Sequence, residues 1–367
     1  MGMHRLATVQ EHLHQDNAMI LLAPGDDFRY LLSWSPLADE RLTFLGISGD
    51  RASLVIASVN AQEAREHVGE DVEVFAYADQ EGPEAILRKV FGEVLNRVET
   101  IFISDDARFD HVEQLKHALH RLASLPLHRA SRLLAPWRMM KDQGELDKLK
   151  VCQTINDQAM MAGFAAIRVG MTEMELQDII RRAFMAHGAD REAFIIVAAG
   201  PHSALPHHTP DQSVIAEGPV LLDIGCFKEG YASDMTRVAY VGTPSDDFVH
   251  VHHIVNQAVM QAIAKARAYA EAQSIDHAAR RVIEDAGYGT YFVHRLGHGI
   301  GLSVHEPPSI MEGNPIKVPL NSTFSIEPGI YLPGRFGVRL EEVVIAKEGG
   351  AEVLSAVSRE IHRVAAS

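Results

Sequence analysis

Cysteine is scarce in this chain. Cys152 and Cys226 are the only two among 367 residues, and they stand far apart in sequence, which argues against a disulfide framework. Long apolar runs are missing too: Ala18 to Ala23 is among the longest, well short of the roughly 20 residues that a membrane-spanning helix needs. The opening MGMHRLATVQEHLHQ lacks the apolar core of a signal peptide, so a cytoplasmic protein with no membrane partner is expected. Nor is there a basic excess. The formal net charge is −15, the wrong sign for binding a phosphate backbone, and nucleic acid is not expected as a partner. Residues 1–135 also contain no glycine-rich phosphate loop and no cysteine cluster.

What is present is an ordinary globular balance, 47% hydrophobic and 23% charged, over a length that suggests two domains. Residues 1–135 alternate strand signals, at 18–22, 42–47, 52–57, 72–76 and 100–103, with helical spacing at 61–67, 83–97 and 109–122. That alternation predicts an α/β domain. The aromatic run FRYLLSW, 28–34, reads as core packing, with a pocket wall as the alternative. LAPWRMMK, 134–141, reads as a linker and a helix start leading into a second domain over 136–367.

In the second domain, Leu146, Leu149, Cys152, Ile155, Ala159 and Phe164 keep a helical stripe through 144–168. Thr172 and Glu175 form a capping box that opens a shorter helix to about His187. A strand at 193–199 and an acidic hairpin follow, then a long helix at 246–270, a shorter one at 274–286 and a second acidic hairpin. The repeated series predicts an α+β domain with an internal pseudo-twofold, its two hairpins meeting in the middle.

Both hairpins carry paired acids. In VLLDIGCFKEGYASDMTRVAY, 220–240, folding about Lys228 and Glu229 sets Asp223 directly opposite Asp234. In the second, folding about Gly334 sets Glu327 opposite Glu341. Facing carboxylates repel, and burying unpaired charge is expensive, so a plain hairpin gains nothing from either pair. A cation between the strands reverses the sign. Between the hairpins lies His294-Arg-Leu-Gly-His298-Gly-Ile-Gly301, followed by His305. Four carboxylates and an imidazole suit manganese, cobalt, zinc or iron(II) rather than copper or an iron–sulfur cluster. Taken singly, each acid reads as an exposed side chain paired with lysine or arginine; together they predict a two-ion centre.

The segments DIGCFKEGYASDMTR, HRLGHGIGLSVHE, SIEPGIY and VRLEE resemble the signature segments of the pita-bread metallopeptidases. That family includes Xaa-Pro dipeptidase (prolidase), aminopeptidase P and methionyl aminopeptidase, with creatinase as a relative that lacks the metals. The resemblance covers about residues 139–347, and by length and position the first domain is similar to the creatinase/prolidase type. It implies two divalent metal ions, manganese first, with Asp223 on one, His298 and Glu327 on the other, and Asp234 and Glu341 bridging both. Thr236 and Arg339 would orient the bridging carboxylates, a cross-strand ion pair being the alternative for Arg339. His207, in ALPHHTP, His294 and His305 match the family's active-site histidines by position, with His208 the competitor for His207 and His202 out of register. Glu327 would exchange protons with the attacking water.

The implied activity is hydrolysis of the Xaa-Pro bond of dipeptides by a homodimer acting on a small peptide with proline in second place. An aminopeptidase P acting on longer peptides shares every motif quoted. A small-molecule hydrolase or lyase on the same scaffold is the third reading.

Overall fold

A computed structural model describes residues 2–366, with side chains from His4 onward. The chain divides into two compact units, Met1–Pro136 and Trp137–Ser367. No helix among the described residues is long and apolar enough to cross a membrane.

In the first unit the elements run α1 (Gly2–Gln15), β1 (Ala18–Leu22), α2 (Asp26–Leu32), β2 (Phe44–Ile47), β3 (Ala52–Ala57), α3 (Ala61–His67), β4 (Glu73–Tyr77), α4 (Glu84–Leu95), β5 (Thr100–Ile103), α5 (Phe109–Ala118) and β6 (Leu127–Arg129). The six strands form one mixed sheet in the order β4-β3-β2-β1-β5-β6. Strands β1, β2 and β3 are buried along their whole length, as continuous apolar runs in a covered sheet should be. The aromatic run 28–34 falls largely on α2, where Phe28, Tyr30 and Leu31 enter the interior. Helix α6 (Ala130–Met139) then carries the chain into the second unit.

The expected linker at 134–141 is therefore mostly helix, and the break falls at 140–142. Pro136 sits inside α6 and removes one backbone hydrogen bond. Burial of Leu133, Leu134 and Met139 offsets that loss.

The second unit contains α7 (Gln143–Ala166), α8 (Glu173–Ala186), β7 (Arg191–Ala199), β8 (Gly218–Lys228), β9 (Tyr231–Ala232) and β10 (Met235–Val241). There follow α9 (Asp246–Lys265), α10 (Ala272–Asp285), β11 (Gly297–Gly299), β12 (Glu306–Ile310), β13 (Thr323–Ile326), β14 (Gly329–Leu332), β15 (Phe336–Arg339), β16 (Glu342–Lys347), β17 (Gly350–Val353) and β18 (His362–Val364). Long helix, short helix and acid-bearing hairpin thus occur twice. Capping boxes open both α7, at Asp142 and Glu145, and α8, at Thr172 and Glu175. Helix α9 stops short of the expected Ala270, because the Ala268 and Tyr269 N–H groups bond to Lys347 and Val318 carbonyls instead.

One sheet runs β18-β10-β8-β7, with β9 on β8; a second runs β12-β11-β13-β16-β17, and β14 pairs with β15 alone. Apolar residues of α7 and α8 pack on the first sheet, and those of α9 and α10 share a core with β13–β16. Cys152 and Cys226 meet there as free buried thiols, their sulfurs 3.7 Å apart.

The register of the first hairpin differs from the expected one. Asp223 pairs with Thr236 rather than Asp234. Glu229 and Gly230 both have positive φ, 50° and 83°, which defines a two-residue type I′ turn. The apex therefore sits one residue later than folding about Lys228 and Glu229 assumes. Because side chains alternate with period two, that shift of two in pairing keeps both aspartates on one face as diagonal neighbours. The second hairpin keeps its expected register: Ile326 pairs with Glu342 and Gly329 with Arg339, which leaves Glu327 across from Glu341 in the gap between the two ladders.

Candidate metal centre

Asp223 projects from the middle of β8, Asp234 from the break between β9 and β10, and Glu327 and Glu341 from the ladder gap of the second hairpin. Two backbone bonds pull these segments together: Glu341 N–H donates to Thr236 C=O at 3.2 Å, and Glu327 N–H to Leu296 C=O at 2.9 Å. Behind them Arg237, fully buried, donates to the Glu342 carboxylate at 2.9 Å and to the Val357 carbonyl at 2.8 Å. The two hairpins are thereby locked across sequence.

His298 reaches the same point from β11. Its flanking glycines are steric requirements: a Cβ at Gly297 would lie 1.9 Å from the Ser325 carbonyl oxygen, and one at Gly299 2.2 Å from that of Pro307. The His298 Nδ1 sits 3.1 Å from the Gly299 carbonyl, so Nδ1 donates there and Nε2 is the nitrogen that faces the acids. That nitrogen lies 3.2 Å from Glu327 Oε1 and 3.6 Å from Asp234 Oδ2. Ligand atoms of Asp234, His298 and Glu341 lie within 4.8 Å of one another, all three residues buried.

Burial, reinforced by Glu341, Asp223 and Glu327, pushes the Asp234 carboxyl well above its usual range. Burial does the same for Glu341, with Glu327 and Asp223 adding to it, and raises Asp223 against the pull of Arg339. Burial also opposes ionisation of Glu327, but its contact with His298 prevails and holds it down at about 2. Asp223 Oδ1 and Glu341 Oε1 are buried with no hydrogen-bond partner among the described residues. Orphaned acceptors of this kind are rare in folded proteins. Carboxylate oxygens lacking donors, next to an imidazole nitrogen turned toward them, are the donor set that divalent cations take, so the residues fit a metal centre.

Oriented partners surround these acids. Thr236 Oγ1 donates to Glu341 Oε2 at 2.8 Å and accepts from Arg339 Nε at 3.1 Å. Arg339 Nη2 binds Asp223 Oδ2 at 2.6 Å, and Nη1 binds the Tyr331 hydroxyl at 2.8 Å. The expected role of Arg339 is thus redirected, since its carboxylate partner is Asp223 while Thr236 serves Glu341. Tyr331, the last residue of SIEPGIY, lies 2.9 Å from His294 Nε2. Because His294 Nδ1 donates to the Arg295 carbonyl at 2.8 Å, the tyrosine hydroxyl is the donor to Nε2. Burial pushes the Tyr331 hydroxyl up to about 12.

Above the acids opens a cavity of about 410 Å³. Arg295 and the histidines His207, His294 and His305 line it, together with an apolar wall of Phe194, Ile196, Pro206 and Val304. The His305 ring stands edge-on to His298 at 4.2 Å; burial and the neighbouring His298 and Arg295 lower it to about 4. His202 and His208 point elsewhere, both against Glu173. The structure therefore brings all ten residues singled out above to one place. Arg295 and the apolar wall are additions; Arg295, Val304 and Pro206 stand inside quoted segments, whereas Phe194 and Ile196 read only as strand.

The chain belongs to metallopeptidase family M24, whose model matches residues 147–348. It is 35% identical over 341 residues to the probable dipeptidase PepE of Mycobacterium bovis, covering 91% of this chain and 88% of that one. Among solved structures it is similar to the recombinant prolidase of Thermococcus sibiricus, with a TM-score of 0.93 at 32% identity, covering 99% of each chain. The X-Pro aminopeptidase of Thermotoga maritima superposes with a TM-score of 0.85 at 31% identity, again over 99% of each chain.

Proposed function

We propose that this metallopeptidase is an Xaa-Pro dipeptidase that cleaves the bond before proline in dipeptides. The observation that carries the reading is one cavity joining the acid–histidine cluster, a cationic side chain and an apolar wall. Asp223 on one ion, His298 and Glu327 on the other, and Asp234 and Glu341 shared are the proposed ligands of two divalent cations, manganese first, with cobalt, zinc or iron as alternatives. When bound, such ions supply Lewis acidity toward the scissile carbonyl and make water nucleophilic near neutral pH.

The remaining work falls to the chain's own side chains. Glu327 Oε1 accepts from Ser325 Oγ at 3.2 Å, which orients the carboxylate to take a proton from water and return it to the departing nitrogen. A proline nitrogen has no hydrogen of its own, so this return is obligatory. His305, neutral above about pH 4, donates an N–H toward the carbonyl oxygen as charge develops there, with His207 on the facing wall. Phe194, Ile196, Pro206 and Val304 accommodate the pyrrolidine ring and exclude water. Arg295, anchored on Ser309 Oγ at 3.0 Å, presents a guanidinium suited to a terminal carboxylate. That last contact favours a dipeptide over a longer peptide. We place the enzyme in the cytoplasm as a homodimer.

Similarity to an X-Pro aminopeptidase keeps action on longer peptides as the second reading. Turnover of Ala-Pro and Ala-Pro-Ala by chelated protein reconstituted with Mn²⁺ separates them. The dipeptidase reading expects rapid loss of Ala-Pro and little of the tripeptide. Failure to hydrolyse either substrate at two Mn²⁺ per chain would end both.

A further inference from the structure

Glu173 opens α8 directly after its capping residue, and it is 0% exposed. A buried carboxylate needs donors on both oxygens, and here all four come from one stretch of chain. Oε1 accepts from the Ala199 N–H at 2.8 Å and meets His202 Nδ1 at 3.0 Å. Oε2 meets His208 Nε2 at 2.7 Å and accepts from the Asp211 N–H at 3.3 Å. The backbone is joined as well, Glu173 N–H to Ser213 C=O at 3.0 Å and Met174 N–H to Asp211 C=O at 3.2 Å.

The stretch so held, 199–211, connects β7 to β8 and puts Pro206 and His207 on the cavity wall. On another side it is seated against β15, the strand that ends in Arg339. Gly337 N–H donates to Ser203 Oγ at 2.9 Å, and a Cβ on Gly337 would lie 2.0 Å from the Ser203 carbonyl oxygen. His207 itself is exposed, so the backbone that carries it decides where its ring goes.

We propose that Glu173, with His202 and His208 as its two arms, is a positioning residue that holds the 199–211 loop so that His207 meets the substrate. The inference rests on the peptidase reading for its effect on turnover, but not for its effect on the loop.

A cation is the competing occupant, because ligand atoms of Glu173, His202, His208 and Asp211 lie within 4.8 Å of one another. Hydrogen bonding is favoured on two counts. Each carboxylate oxygen already accepts a backbone N–H. The 2.7 Å contact to His208 is also shorter than the spacing of about 3.4 Å that tetrahedral bonds of about 2.1 Å impose on neighbouring ligands.

Glu173→Gln tests the proposal, since it keeps the shape and turns one acceptor into a donor facing donors. Amide hydrogen exchange over 199–211 should quicken about tenfold while β8 and β10 stay unchanged. The kcat should fall about 10- to 100-fold, with KM moving less than about threefold and metal content constant. In a His207→Ala background the same substitution should cost less than about threefold, because the histidine through which it acts is gone. Losses that multiply, an unchanged kcat, or a third bound ion that disappears in Glu173→Gln each overturn the proposal. Should that variant fail to fold, His202→Asn and His208→Asn each weaken one arm and are read by the same cycle. A parent enzyme inert toward Xaa-Pro peptides, with loop exchange still responding to Glu173→Gln, would fault the peptidase reading and not the clamp.

Discussion

Arg339 lies 2.6 Å from Asp223, both side chains buried, and the same guanidinium reaches Thr236 and Tyr331. One planar fork serves three acceptors in three directions. Asp223 and Glu341 are oriented through it, the second by way of Thr236, and His294 is reached through Tyr331. Lysine supplies one flexible point of charge and cannot reproduce that geometry. Arg339→Lys should therefore lower kcat about 10- to 100-fold and weaken metal retention. Steady-state kinetics with metal analysis on one preparation checks both, and parent-like values in each would remove the orienting role.

The buried acids make the stability of the metal-free protein depend on pH. Asp234 and Glu341 are pushed well up by burial and by one another's neighbours, so the folded state holds protons that the unfolded state has released. Their stabilisation is complete below the ordinary carboxyl range, about pH 4, and is lost as pH rises through the raised values. Glu327, held at about 2, acts in the opposite sense, but only below that range. In chelator, Tm should fall as pH rises above the ordinary carboxyl range, and Asp234→Asn should lift Tm at pH 8 by a few degrees. Calorimetry showing the metal-free variant melting below the parent would exclude charge repulsion as the cause.

Metal binding must expel the same protons. Apparent affinity for Mn²⁺ should rise about tenfold per pH unit for each proton released. Titration calorimetry at pH 6 in buffers of different ionisation enthalpy counts them directly. A heat independent of buffer would show that the acids are already ionised.

Glu306 adjoins His305 and binds Lys141 Nζ at 2.7 Å and the Arg138 guanidinium. The Lys141 side chain is only 1% exposed. Burial alone would raise the Glu306 carboxyl, yet the two cations hold it below its usual range. Its contribution is thus present above the unfolded glutamate range and lost as pH falls through the lowered value. Glu306→Gln leaves a buried ammonium without a counter-charge and should cost about 3–5 kcal/mol in urea unfolding at pH 7. A change under about 1 kcal/mol would mean that Lys141 escapes to solvent.

His207 faces the cavity without joining the acid cluster. His207→Ala should lower kcat about 100-fold or more through loss of one donor at the developing charge, while two ions per chain remain. Loss of an ion would make it a ligand instead.

The acids were legible in the sequence because period-two alternation and turn residues are local signals. Thr323 to Lys347 shows this best: Gly334 takes φ 71° at the expected turn and the register follows. The first hairpin went astray by one step at its apex, where Glu229 accepts a positive φ that its residue type does not advertise. Pro136 misled in the other direction, since a buried helical face outweighed a local breaker. Tyr331 and Glu173 were missed for a different reason. A tyrosine in an apolar strand and a glutamate in a helix's first turn look ordinary until their partners, distant in sequence, are in place.

Each hairpin contributes two of the four carboxylates and His298 lies between them in sequence, so no short contiguous stretch of the chain holds the whole proposed ligand set. While the polypeptide is emerging from the ribosome, Asp223 and Asp234 wait as an incomplete pair until Glu341 has been made. On the proposed ligand set, loading with metal would be deferred until both hairpins exist, and a product truncated before Glu341 would be left unarmed.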